Sequence, residues 1–388
     1  MDKRVLSRFC LLTGAWLCAS SALFAGTPAP RPVVVAYVFP RDTLIQPGDI
    51  DARKLTRINY AFANLQDGRI VDGFANDDKN LATLVALKQQ NPSLTVLVSV
   101  GGWLWSGGFS DMALTRESRA VFIDSAVEFV SRHNLDGLEI DWEYPGLPGA
   151  TNNFRPEDRQ NYTLLLKELR QRFSKLEKQL HRRLYLTVAV GASSDFLAHT
   201  EMNMVARIVD AVNLMAYDYY QPSDAITGHH APLFTNPADP KKISADRSVQ
   251  EFERAGVPAS KIVLGVPFYS HAWIDVPAIG NGLFQPGKPP AAGQPTAAPE
   301  TQLKNGFIRF WDPIASAPYL YNPETKVFVS YDDPQSLTAK CNYVLRHNLR
   351  GVMFWNYESD STRTLLDAID AGLGMNPARK AKQNRAAR

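Results

Sequence analysis

The sequence predicts an α/β fold, a closed (β/α)8 TIM barrel with a small α+β-type insertion between its seventh and eighth strands. Three observations lead there. Short apolar runs rich in β-branched and aromatic residues recur eight times, helically spaced apolar residues lie between them, and 388 residues leave room for eight βα units in one closed sheet. With 45% hydrophobic and 21% charged side chains, the composition is that of a globular chain with a large core, which sets aside disordered and fibrous classes.

In chain order, the strands read as Val33 to Phe39, Ile58 to Asn64, Thr95 to Val100, Gly137 to Trp142, Leu184 to Val190, Ala211 to Ala216, Ile262 to Val266 and Gly351 to Trp355. Between them, Phe122, Ala126, Phe129 and Val130 make one helical stripe, and Tyr162, Leu165, Leu166, Leu169 and Phe173 make another. A third stripe joins Leu337, Cys341, Val344 and Leu345, opened by Asp333 as a cap and Pro334 at the first helical position. Cys341 therefore reads as core, not as a nucleophile. The interval from Trp273 to Val327 is too long for a simple loop and is rich in Pro, Ala and Gly between Pro286 and Pro299. Within it, Phe307 to Trp311 and Lys326 to Ser330 read as strands of an inserted subdomain over 274–327. The barrel as a whole reads as 33–375.

The first residues carry Lys3, Arg4 and Arg8, then an apolar run from Phe9 to Phe24, then Ala22, Ala25 and Gly26, the order of a cleaved secretory signal. A signal over 1–25 and a linker over 26–32 imply a secreted protein, extracellular or periplasmic. Thr13, Gly14, Ser20 and Ser21 interrupt the run, which is short for a bilayer span, so no stable membrane association is expected. Trp16 and Leu17 argue against lipid attachment at Cys18. With Cys10 and Cys18 in the signal, the mature chain keeps only Cys341, which excludes an intramolecular disulfide and a Cys-based zinc site. Stability then rests on packing, and a monomer is expected. Net charge is only +3, part of it from the signal and from Arg379, Lys380, Lys382, Arg385 and Arg388 in a basic disordered tail over 376–388. No basic patch interleaves with aromatics, so nucleic acid is not an expected partner. The histidines, His133, His181, His199, His229, His230, His271 and His347, show no H-E-x-x-H or comparable ligand spacing, so no metal or other cofactor is expected. His229-His230 reads as a surface loop pair.

The most informative segment is Asp136-Gly137-Leu138-Glu139-Ile140-Asp141-Trp142-Glu143-Tyr144-Pro145. Side chains on a strand alternate faces, so Glu139, Asp141 and Glu143 point the same way, about 6 to 7 Å per step. In a parallel barrel that face is the packed interior, where unpaired carboxylates are very costly. Crowding has a chemical use, however: neighbouring negative charge and desolvation raise carboxyl pKa values and keep one acid protonated near neutral pH. Glu143 stands at the C-terminal end of the strand, where barrel active sites assemble, and is the general-acid candidate. Asp136 has the opposite parity and reads as structural.

This block resembles the Asp-Gly-x-Asp-x-Asp-x-Glu signature of family 18 glycoside hydrolases, the chitinases, with Glu139 where the usual pattern has Asp. Ser99-Val100-Gly101-Gly102-Trp103 resembles the family's Ser-x-Gly-Gly element, and Met215-Ala216-Tyr217-Asp218 its Met-x-Tyr-Asp. Val266-Pro267-Phe268-Tyr269 and Gly351-Val352-Met353-Phe354-Trp355 look like its seventh and eighth strands. The resemblance runs from about Val33 to Leu373.

The resemblance implies cleavage of β-1,4-linked N-acetylglucosamine in chitin or chitooligosaccharides by substrate-assisted retention. Glu143 would protonate the glycosidic oxygen while the substrate's own acetamide carbonyl attacks the anomeric carbon. Asp141 would accept the acetamide N–H, and Tyr217 would hydrogen-bond its oxygen. Glu139 would share a proton with Asp141, supported from below by Tyr37 and Ser99. Trp355 would floor the reacting sugar, with Gly101, Gly102, Trp103, Tyr144, Met215 and Asp218 at adjoining positions. Two other functions stay open on the same fold: an endo-β-N-acetylglucosaminidase acting on glycans, and a catalytically silent chitin-binding lectin, against which the retained Glu143 counts.

Overall fold

The computed structural model describes residues 31–150, 152–291 and 302–375. The expected signal with Cys10 and Cys18, most of the expected linker and the basic tail lie outside the described residues. The strands are β1 (Val33–Val38), β2 (Arg57–Gln66), β3 (Arg69–Val71), β4 (Thr95–Gly101), β5 (Gly137–Asp141), β6 (Tyr185–Gly191), β7 (Ala211–Met215), β8 (Ile262–Pro267), β9 (His271–Trp273), β10 (Ile308–Asp312), β11 (Ala317–Asn322), β12 (Val327–Ser330) and β13 (Gly351–Trp355).

Eight of them close into a barrel in the order β1-β13-β8-β7-β6-β5-β4-β2, with β1 pairing back onto β2. Every pairing around the ring is parallel. β3 adds an antiparallel hairpin to the end of β2. The expected strands fall on these eight, with ends displaced by a few residues.

Strand parity sorts side chains between two cores. On β1, Val34, Ala36 and Val38 face outward into the large cluster beneath the helices, whereas Val33, Val35 and Tyr37 belong to the barrel interior. On β5, Leu138, Ile140 and the following Trp142 join the outer cluster. The Trp142 ring stacks on Phe109 at 5.4 Å and meets Tyr162 edge-on at 5.9 Å. Fixing Trp142 outward leaves Glu139, Asp141 and Glu143 no side but the inner one. At Gly137 the backbone has φ +154°, and a Cβ would stand 1.9 Å from the Tyr185 carbonyl oxygen, so the start of β5 takes only glycine.

Helices cover the outer face. Thr115 caps the helix Arg116–Arg132 by accepting from Ser118 N at 3.1 Å, and Phe122, Ala126, Phe129 and Val130 are buried. Burying each phenylalanine is worth about 1.5–3 kcal/mol. The stripe of Tyr162, Leu165, Leu166, Leu169 and Phe173 is likewise buried on the helix Asp158–Leu180. On the helix Pro334–Arg346, Asp333 Oδ1 accepts from Gln335 N and Ser336 N, each at 2.9 Å. Leu337, Cys341 and Val344 are buried there, but Leu345 is 43% exposed, against the sequence expectation. It sits in the last turn, 100° around the helix from Val344, on the margin that turns away from the barrel. Burial pushes the Cys341 thiol up to about 12, far from a reactive thiolate.

Between β8 and β13 lies a four-stranded antiparallel sheet ordered β10-β11-β12-β9. Trp273, Val276, Tyr319, Tyr321 and Phe328 form its apolar face together with Tyr220 from the segment after β7. That segment is also tied to the sheet by polar contacts. His229 Nε2 lies 3.1 Å from Asp312 Oδ2, and His230 N donates to Ser330 Oγ at 2.8 Å. His229 and His230 are therefore not a surface pair: they are 2% and 0% exposed, because the inserted sheet covers them. Among the described residues no helix is long and apolar enough to cross a membrane.

Candidate active site

β5 delivers its three acids in order of depth: Glu139 is fully buried, while Asp141 and Glu143 keep 3% and 8% of their surface. Asp136, just before the strand, faces the other way, its carboxylate accepting from Val96 N at 2.8 Å and pairing with Lys88 and Arg182. It is a structural clamp.

Glu139 Oε1 accepts from Thr187 Oγ1 on β6 at 3.1 Å and from Asn213 Nδ2 on β7. Burial raises the Glu139 pKa, opposed by the polar groups of Tyr37, Ser99, Asn213 and Thr187 around it. Burial also lifts Asp141 well above the carboxylate range, reinforced by the charges of Glu143 and Glu139. Glu143 is raised to about 7, by burial first and by the charge of Asp218, with a hydrogen bond from Tyr144 working against both. A carboxyl group that holds its proton to about neutral pH has the property a general acid needs.

The loop after β4 locks this strand end. Gly102 N donates to the Asp141 carbonyl at 2.8 Å, and Glu143 N donates to Ser106 Oγ at 2.9 Å. Gly101 has φ +108°, and a Cβ there would meet the Asp141 carbonyl oxygen at 2.3 Å.

Above the acids opens a cleft of about 980 Å3, lined by Tyr37, Gly101, Trp103, Asp141, Glu143, Tyr144, Met215, Tyr217, Asp218 and Trp355 among others. Ser99 and Glu139 are fully buried beneath it. Gly102, named from the sequence as a substrate contact, does not line the cleft but backs the Phe62 ring, 2.6 Å from where its Cβ would be. Trp355 is propped from behind by Phe62, stacked at 5.4 Å, and by Phe39 and Tyr37 at 5.4 and 5.7 Å. Trp103 is half exposed and lies 6.4 Å from Tyr144 on the lip. Asp218 Oδ1 accepts from Tyr269 OH at 2.6 Å and from His271 Nε2 at 2.7 Å. Burial alone would raise the Asp218 pKa, but His271 and the neighbouring His230 ring hold it well below the usual range. Burial lowers His230 to about 4.

Sequence reasoning missed Thr187, Asn213, Ser106, Tyr269, His271 and the aromatic group Phe39, Phe62, Phe74 and Trp105. Thr187 and Asn213 carried a signal, being polar residues at inward positions of otherwise apolar strands. Ser106 and His271 carried none, since loop and insertion contacts leave no periodicity.

Closely spaced inward carboxylates with raised pKa values, in an aromatic-floored cleft at the C-terminal mouth of a barrel, define a glycoside-hydrolase site. Residues 33–360 match the model of glycosyl hydrolases family 18. The chain belongs to that family. It is 37% identical to chitinase A1 of Niallia circulans over 84% of this chain, and spans 56% of that protein's length. It is 32% identical to chitinase 1 of Aphanocladium album, covering 85% of this chain and 82% of that one. Among solved structures it resembles a family 18 N-acetylglucosaminidase from Paenibacillus barengoltzii, with a TM-score of 0.79 at 41% identity, covering 88% of this chain and 99% of that one.

Proposed function

We propose that the protein is a secreted chitinase that cleaves β-1,4-N-acetylglucosaminide bonds by substrate-assisted retention. The observation that carries this reading is Glu143, buried at the mouth of the cleft beside Asp141, with its pKa raised to about 7. Glu143 protonates the glycosidic oxygen, whose bond to the anomeric carbon breaks as the acetamide carbonyl oxygen of the sugar above Trp355 closes on that carbon to give an oxazolinium. Asp141, passing its proton to Glu139, takes the acetamide N–H and offsets the growing positive charge, and Tyr217 donates to the acetamide oxygen and holds it in line. Glu143 then serves as base for the incoming water. Tyr144, Met215, Asp218 and Trp103 line the adjoining sugar positions. Retention of the acid argues against a silent lectin. Export rests on the N-terminal order of basic, apolar and small residues. The domain bounds of the sequence reading and a monomeric state belong to the same proposal.

The acetamide is the test. N-acetylated chitooligosaccharides are expected to be hydrolysed, and cello-oligosaccharides and fully deacetylated chitosan negligibly, with a thiazoline mimic of the oxazolinium inhibiting competitively. Efficient cleavage of cello-oligosaccharides, or a glycosyl ester trapped on Asp141, would sink the mechanism. Beside the likeness to a Paenibacillus N-acetylglucosaminidase, release of single sugars from a chain end is the second mode of cleavage to test. Mass spectrometry of chitohexaose products separates the two: a ladder of sizes supports internal cleavage, one repeated product supports end-on release.

Glu139→Asp withdraws the carboxylate by about one carbon–carbon bond, ~1.5 Å. Its hydrogen bonds from Asn213 and Thr187, which stabilise the ionised form, are weakened, so the pKa at position 139 rises. Activity should persist with the acidic limb of the kcat/KM–pH profile moved upward. An unmoved limb would mean that residue 139 does not exchange a proton with Asp141.

A further inference from the structure

A second set of donors meets at the cleft wall, drawn from three separate segments. Asp218 after β7, His230 in the segment strapped to the inserted sheet, and His271 on β9 each offer one ligand atom within 4.8 Å of the other two. Asp218 Oδ1 stands 2.7 Å from His271 Nε2 and 3.6 Å from His230 Nδ1. His230 is fully buried, and neither of its ring nitrogens has a hydrogen-bond partner. Enclosing an imidazole whose Nε2 has no partner and whose Nδ1 has only the 3.6 Å contact to Asp218 is costly unless something else engages it.

We propose that Asp218, His230 and His271 form a site for a divalent cation of the zinc class, and that the bound cation competes with substrate for the cleft. Two imidazoles and one carboxylate are donors that suit zinc, and three protein ligands leave a fourth position open. Metal–ligand distances of about 2.0–2.2 Å in a tetrahedron set the ligand atoms roughly 3.3–3.6 Å apart. The 3.6 Å separation nearly fits as it stands, the 2.7 Å one needs His271 to spread from Asp218, and the two imidazole ligand atoms lie within 4.8 Å of each other. That movement exchanges the Tyr269 and His271 hydrogen bonds on Asp218 Oδ1 for metal bonds. His230 is pinned through its backbone, donating to Ser330 Oγ at 2.8 Å and accepting from Tyr219 N at 3.1 Å, so it supplies the fixed ligand. Asp218 and His271 line the cleft, which puts the open position on the side where sugar enters.

The competition, but not the site, rests on the reading of the cleft as a chitooligosaccharide channel. Calorimetric titration of the full chain with zinc chloride is expected to show one ion per chain, with affinity falling at least about tenfold in His230→Gln and in His271→Gln. Should the buried His230→Gln fail to fold, as judged by circular dichroism, the half-buried His271→Gln carries the comparison. Absence of one-to-one binding in the wild type, or unchanged affinity in a folded variant, overturns the site. Hydrolysis of chitotetraose over a zinc series is expected to show KM rising at constant kcat, and a fall in kcat at constant KM overturns the competition. If chitotetraose is not cleaved at all, the functional reading fails, and calorimetry still decides the site.

Discussion

Glu143→Gln is expected to lower kcat on chitooligosaccharides by about 10²–10⁴-fold while leaving their affinity close to that of the wild type. The amide fills nearly the same space and keeps hydrogen-bonding capacity, but has no acidic proton to give. The pH profile sharpens the test. Because the Glu143 pKa is raised to about 7 in the free enzyme, its proton is present below that value and lost above it, so wild-type kcat/KM should fall as pH rises through about 7. That falling limb should vanish from the residual rate of the variant. Near-normal turnover by Glu143→Gln, or persistence of the limb, would assign the acid elsewhere.

The second large effect is expected from a residue with no side chain. In Gly101→Ala the new Cβ meets the Asp141 carbonyl oxygen at 2.3 Å and a Phe109 ring carbon at 2.7 Å, on a backbone with φ +108°. Overpacking of about 1–3 kcal/mol and backbone strain of similar size together predict a loss of about 2–6 kcal/mol. The displaced group is the peptide that carries Asp141, so kcat should fall along with the denaturation midpoint. A variant with wild-type midpoint and rate would show that the end of β4 has room to move away from β5.

The barrel was legible because its strands announce themselves twice. Val33 to Val38 is a compact apolar run, and the alternation in Glu139, Asp141 and Glu143 already assigns an interior face. Asp141, Glu143, Tyr217 and Trp355 share one cleft because all lie at or just beyond the C-terminal ends of strands, a place that counting along the chain can find. What was not legible depends on segments that meet only after folding. His229 and His230 looked like an exposed polar pair until Asp312 and Ser330, some 80 to 100 positions later, arrived to cover them. Leu345 differed for a smaller reason, the rotation of one residue about a helix axis at its last turn. Gly102 is adjacent to a lining residue, yet its space is taken by Phe62.

The inserted sheet has a consequence for anyone who would shorten or exchange it. β9, which carries His271 beside Asp218, is held in place by its ladder to β12, where His271 faces Ser330 and Trp273 faces Phe328. The same sheet pins His229 through Asp312 and His230 through Ser330. Cutting out 274–327 would strip β10 and β11 and leave β9 with a truncated neighbour. The sheet is thus no detachable cassette: a chimera that imports a relative's version imports its cleft electrostatics with it, and a barrel trimmed of the sheet loses the scaffold that orients Asp218.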